Sequence, residues 1–176
     1  MTLNSILLEI CSRLSLPDDN TFLNRALNYF VFAVSELVKS NNYSEQDIIP
    51  LINNDVLDIT FNQDNITPVS IIFSYDIFRI IDVNARFNFI SIVDNIKFSR
   101  ITELIYPDKE IFITLDKNIL KFYNYSNQTK SINIRYVWLP NINSWTNNQD
   151  LSLFSSKFLA DCIELSVNKF KKELED

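Results

Sequence analysis

The sequence predicts an α+β fold: an N-terminal helical pair, a central antiparallel β-sheet and a long C-terminal helix. Residues 3–52 carry apolar side chains at helical spacing, and residues 56–138 carry them largely in alternation. Residues 150–174 return to the helical period. No repeat and no linker-like stretch breaks this order, so residues 1–176 read as a single domain.

In the first helix Leu3, Ile6, Leu7, Ile10, Cys11 and Leu14 share one face, and Pro17 ends it. Asp18, Asp19 or Asn20 caps a second helix with Phe22, Leu23, Ala26, Leu27, Phe30, Val31, Val34, Leu37 and Val38 as its apolar set. Phe32 and Ala33 widen that stripe, which predicts burial on two sides. Ser44-Glu45-Gln46-Asp47 resembles a capping box, and Pro50 keeps any third helix short.

Strands follow. Leu57, Ile59 and Phe61 alternate with Asp58 and Thr60; Ile77, Arg79, Ile81 and Val83 oppose Phe78, Ile80 and Asp82. Residues 87–93 are β-branched and aromatic, and Phe98, Ile101, Leu104 and Ile105 fit one short helix. Residues 110–115 and 119–123 predict a hairpin across Asp116-Lys117-Asn118. Ile132, Ile134, Tyr136 and Trp138 alternate with Asn133 and Arg135. After a polar loop at residues 140–149, Asp150 is expected to cap the last helix. Its inner side is Leu151, Phe154, Phe158, Cys162, Leu165 and Phe170.

Composition narrows function. The chain has no glycine and no histidine. It therefore has no Gly-rich phosphate loop and no histidine base or ligand, which moves the expectation away from an enzyme and towards binding or assembly. No cofactor is expected. With glycine absent, the asparagine-rich runs at 62–65, 116–118 and 124–128 are the expected turns. Apolar residues make up 47% and charged residues 22%, enough for a core without staples. The two cysteines, Cys11 and Cys162, lie in apolar helical patterns and read first as free buried thiols, with a disulfide between them left open. No signal peptide and no membrane span is legible, which suggests a chain made in a cytoplasm.

The remaining candidates for chemistry have plainer readings. Asp18-Asp19 reads as helix caps, and Asp58, Asn62 and Asp64 as a turn lacking the glycine and glutamate of a calcium loop. Glu103 and Glu110, across the Tyr106-Pro107-Asp108 turn, read first as solvated surface glutamates and otherwise as the acid/base pair of a histidine-free hydrolase. A net charge of −6 argues against a dedicated nucleic-acid binder, and the groups Lys97 with Arg100 and Lys169 with Lys171 and Lys172 are small. An acidic surface does suit a conduit through which DNA passes without sticking. Trp145, alone in its polar loop, either folds back or anchors a partner.

Ile77-Phe78-Arg79-Ile80-Ile81-Asp82-Val83, then Tyr106-Pro107, then residues 132–140 ending in Trp138-Leu139-Pro140 give a familiar order. Ser74-Tyr75-Asp76 precedes the first strand and Asp150-Leu151-Ser152-Leu153-Phe154 opens the last helix. In this order of elements the chain resembles the head–tail connector (adaptor, or neck ring) proteins of short-tailed and crAss-like phages. The proline expected before the first strand is missing. The resemblance implies a virion structural protein assembled in the host cytoplasm and located in the neck. It implies a homo-oligomeric ring of about twelve copies bound to portal and to other neck or tail proteins. Such a ring lies near DNA only non-specifically, and no membrane is involved. The alternative is a β-rich recognition module of a tail or cell-surface apparatus that stacks glycans on Trp145, Tyr123 and Tyr125.

Partner contacts are expected at Trp145 and at the end of the last helix, Lys169, Phe170, Lys171, Lys172 and Leu174. There Leu174 is framed by charges of both signs, either as a fraying end or as a segment that orders against portal. Deleting residues 168–176 is expected to spare the fold and abolish attachment.

Overall fold

The computed structural model describes residues 1–61, 68–85, 89–92, 110–124, 129–142, 145–146 and 149–175. They group into two units, Met1–Ile52 with Leu139–Asp176, and Asn53–Trp138. The first and third zones read from the sequence thus belong together, and the strands form the second unit.

The first unit holds helices α1 (Leu3–Arg13), α2 (Asn20–Lys39) and α3 (Ser156–Glu175). Thr2 caps α1, and the Asp19 carboxylate caps α2 by accepting from the amides of Thr21 (2.9 Å) and Phe22 (3.1 Å). The end of α1 comes before Pro17. Ser15 takes φ 54°, and the amides of Ser15 and Leu16 return to the carbonyls of Ser12 and Cys11. That is the Schellman closure, here built on serine because no glycine exists to fill the left-handed position. Asn41 takes the left-handed position after α2 at φ 56°, its amide returning to the Val38 carbonyl. The expected short third helix is two three-residue 3₁₀ turns, Glu45–Asp47 and Ile49–Leu51.

The inner face of α1 is Leu3, Ile6, Leu7, Ile10 and Cys11. On α2 the buried set is Ala26, Phe30, Val31, Ala33, Val34 and Val38. The widened stripe is correct for Ala33 and wrong for Phe32, which is 41% exposed. The last helix starts six residues later than its expected cap. Asp150 caps a local turn instead, accepting from the amide and hydroxyl of Ser152, each at 2.9 Å, while the hydroxyl of Ser155 accepts from the Phe158 amide at 3.1 Å. The cause is competition for the backbone. Gln149 and Leu151 hydrogen-bond with Leu3 and Met1, and Phe154 bridges to Ile48, so this segment is held extended against the N-terminal residues. Cys11 and Cys162 are both buried and free.

The second unit contains β1 (Ile52–Thr60), β2 (Val69–Ile72), β3 (Asp76–Ala85), β4 (Phe89–Ile92), β5 (Glu110–Asp116), β6 (Ile119–Tyr123) and β7 (Thr129–Leu139). The class is α+β as the pattern predicts, with finer differences. There are two sheets, β1-β7-β3 and β2-β6-β5-β4, and β4 pairs with β5 in parallel. Residues 93–109 supply the long connection that a parallel pair needs. The hairpin is β5–β6, with Asp116 opposite Ile119 across Lys117-Asn118. Lys117, not an asparagine, takes the positive φ of 53°. Asn118 instead fastens the turn, donating from Nδ2 to the Phe73 carbonyl at 2.9 Å.

Both sheets feed one core. Ile132, Ile134 and Tyr136 of β7 meet Ile59 of β1, Ile77 of β3, Ile111 and Ile113 of β5 and Leu120 and Phe122 of β6. Ser131, Asn133 and Arg135 face outward, the clean alternation of a half-buried strand. The expected helix at Phe98–Ile105 lies outside the described residues, as do the turns at 62–65 and 125–128.

Candidate functional site

The C-terminal end of α3 packs antiparallel on α2. Arg25 forms an ion pair with Glu173, the Tyr29 ring stacks on Phe170 at 5.0 Å, and Lys169 Nζ sits 5.3 Å from the Phe32 ring centroid. As numbers rise along α2 they fall along α3. The Arg25 guanidinium also lies 5.0 Å over the Phe170 ring, so one arginine serves both a cation–π contact and an ion pair.

This packing sorts the expected partner residues. Phe170 is 0% exposed and belongs to the core, so the idea that it faces a partner is corrected. Its ring sits at the helical spacing of Phe158, Cys162 and Ile163 and continues their buried face. Trp145 is also corrected. It is 7% exposed, with its ring 5.7 Å from Phe30 and 6.4 Å from Phe154, because a large apolar surface in a polar loop gains more from that aromatic cluster than from water. Lys169, Lys171, Lys172 and Leu174 are exposed, with Lys171 Nζ 3.7 Å from Glu175. The helix is continuous to Glu175. Deleting residues 168–176 would take out Phe170 and therefore cannot spare the fold.

At the other end of α3 a groove of about 310 Å³ opens between α1 and the segment before α3. Phe154, Leu159, Ala160 and Ile163 supply its apolar side. Its lining also includes Arg13, bonded to Glu9 at 2.5 Å, and Met1, whose ammonium is 3.8 Å from Asp150. Nothing in the sequence pattern signalled this groove, since each residue reads there only as helix face or cap.

A second feature missed from sequence is a tyrosine relay in the strand unit. Tyr136 Oη donates to Asp55 at 2.6 Å and lies 2.6 Å from Tyr75 Oη; Asn53 Nδ2 donates to Tyr75 at 3.2 Å. The carboxylate only accepts, so the proton of Tyr136 points to Asp55 and Tyr75 must donate to Tyr136. The order Asn53→Tyr75→Tyr136→Asp55 follows. Burial, then the bonds to Asp55 and Tyr75, pushes the Tyr136 hydroxyl well above its ordinary range, so it stays protonated. Phe73 and Trp138 pack around the pair, filling the site rather than opening it. In the helical unit Tyr43 donates to Asp161 at 2.5 Å, and burial followed by that bond raises its hydroxyl too.

Among the other candidates, Asp19 is a helix cap and Asp58 accepts from Ser131 Oγ. Asn62, Asp64, Lys97, Arg100, Glu103 and Tyr125 lie outside the described residues, and Glu110 is described only as the start of β5. Among the described residues no three metal-ligating side chains come together, and no helix is long and apolar enough to cross a membrane. Comparison of the sequence with models of known protein families and with curated proteins finds no match.

Proposed function

We propose that the chain is a non-enzymatic virion structural protein, a head–tail connector of a tailed phage that closes into a ring between portal and tail and continues the DNA channel. The observation that carries this reading is Leu174, 44% exposed on a helix end that Arg25–Glu173 holds to α2. A helix end presenting one large apolar side chain among charges is suited to protein contact rather than to catalysis. Neighbouring copies, about twelve by the resemblance, and the portal are the proposed partners. The net charge of −6 supports passage of DNA without adhesion, because carboxylate and phosphate repel.

Native mass spectrometry and negative-stain imaging test the proposal. Closed oligomers are expected, alone or on portal; monomers under both conditions would reject it. The glycan-binding alternative loses support with Trp145 buried and Tyr123 half-buried, and no observation favours it.

A further inference from the structure

We infer that the buried relay of the strand unit is a one-electron redox site, with Tyr136 as the residue oxidised, Asp55 as its proton acceptor and Trp138 as the port through which the electron leaves. This property is separate from ring assembly and does not depend on it.

A phenol that loses an electron becomes a strong acid, so its oxidation is easy only where a base already holds its proton. Tyr136 meets that condition, because its hydroxyl donates to the Asp55 carboxylate at 2.6 Å, within reach of direct proton transfer. Electron and proton then leave together. The Tyr136 O–H bond breaks, an O–H bond forms on Asp55, and the electron passes to a diffusible one-electron oxidant of the metal-complex or inorganic-radical class. The products at the site are a neutral phenoxyl and a neutral carboxylic acid. Burial favours that outcome, since the site ends with no ion where it began with a carboxylate.

The surroundings suit a radical. Tyr75 Oη lies 2.6 Å away and donates to the Tyr136 oxygen, so the phenoxyl keeps a hydrogen bond after its own proton has gone. Tyr136 is 0% exposed, which shuts out a second phenoxyl that would couple with it. The path outward is aromatic. Tyr136 and Tyr75 stack with ring centroids 6.3 Å apart, and Tyr75 is 5.3 Å from the half-buried Trp138. Indole gives up an electron about as readily as phenol, so Trp138 is oxidised first and is refilled from within. The Tyr43–Asp161 pair supplies a contrast. It has the same bond, at 2.5 Å, but Tyr43 is only half-buried and its ring meets Phe158, which is too hard to oxidise to extend a path.

Flash generation of a ruthenium(III) polypyridyl complex tests this, with transient absorption and electron paramagnetic resonance following the tyrosyl radical. The parent is expected to form a long-lived tyrosyl radical, more slowly in heavy water than in light water. Tyr136→Phe should lose it. Asp55→Asn can accept the hydrogen bond but not the proton, and should lose both the long-lived radical and the isotope effect. Trp138→Phe should cut the yield several-fold, while Tyr43→Phe should keep the parent's yield and lifetime. Circular dichroism matching the parent's verifies the fold of each variant. A long-lived radical of undiminished yield in the Tyr136, Asp55 or Trp138 variant would overturn the inference, as would a parent whose tyrosyl radicals decay as fast as those of free tyrosine. If Tyr136→Phe failed to fold, the Asp55 and Trp138 variants would decide between these outcomes.

Discussion

The helical unit and the strand unit each place a tyrosine hydroxyl against an aspartate, and the surroundings make the two pairs very different. Tyr43 donates to Asp161 at the half-buried edge of the helices, with its ring edge-on to Phe158 at 4.9 Å and Lys157 5.9 Å from its face. Tyr136 is fully buried in the middle of β7, and its hydroxyl is the third link of a four-residue relay. Water can replace Asp161 as a partner for Tyr43. Nothing so simple can replace the relay, where each hydroxyl is both donor and acceptor. The helical unit is thus held mainly by apolar faces, and the strand unit adds a polar lock at β1, β7 and the segment before β3.

The largest effect is expected where the helical unit depends on one ring. Phe170→Ala should destabilise by about 3–5 kcal/mol, the range for removing a buried aromatic. It would also cut the stack on Tyr29 and the cation–π contact of Arg25. Urea unfolding followed by tryptophan fluorescence measures it; a loss no larger than that of a surface substitution would contradict the core placement of Phe170.

Next comes the contrast between the two tyrosines. Tyr136→Phe leaves Asp55 and Tyr75 short of a partner and should cost about 1–3 kcal/mol, whereas Tyr43→Phe should cost about 1 kcal/mol or less. A double-mutant cycle with Asp55→Asn should show coupling for Tyr136. Equal costs for the two tyrosines would remove the distinction between relay and edge pair.

These differences mark what the sequence could disclose. The helix faces and the alternation in β7 were legible because periodicity records which side is buried, and Ile132, Ile134 and Tyr136 sit inward as that period requires. Three features were not legible for a physical reason. Trp145 and Leu174 have the same local signature, one large apolar side chain among polar ones, and only tertiary distance to Phe30 and Phe154 separates them. The relay joins Asn53, Asp55, Tyr75 and Tyr136 across strands far apart in sequence, and the groove joins α1 to residues 152–163. The αL positions were half legible: Asn41 obeys the preference for asparagine, while Ser15 and Lys117 are imposed by closure of a helix and a hairpin.

A smaller effect, of opposite sign, is expected in the four-stranded sheet. Thr114 is 0% exposed and its hydroxyl has no hydrogen-bond partner among the described residues. It lies on the face of β5 opposite Ile111 and Ile113, which join the core. Thr114→Val keeps the branched shape and removes an unpaired polar atom, so it should be neutral or stabilise by about 1 kcal/mol. A clear loss in thermal stability would mean that the hydroxyl is satisfied after all.

The smallest effect is a pH dependence at the seam where the extended segment before α3 meets the N-terminal residues. Asp47 is held below the ordinary carboxylate range by hydrogen bonds from Ser155 and then Ser44, and Asp150 by the amide and then the hydroxyl of Ser152. Each carboxylate therefore binds its proton more weakly folded than unfolded. The stabilisation is complete above the unfolded value, about 3.9, and disappears as pH falls through the lower folded value. Asp150 is exposed and Asp47 half-buried at the surface, so solvent and salt screen the effect and it should be small. Asp150→Asn should flatten the decline in melting temperature between neutral pH and about pH 3 relative to the parent, because one linked proton is gone. A variant at Asp150 whose acid decline matched the parent's would show that the turn before α3 contributes nothing to the linkage.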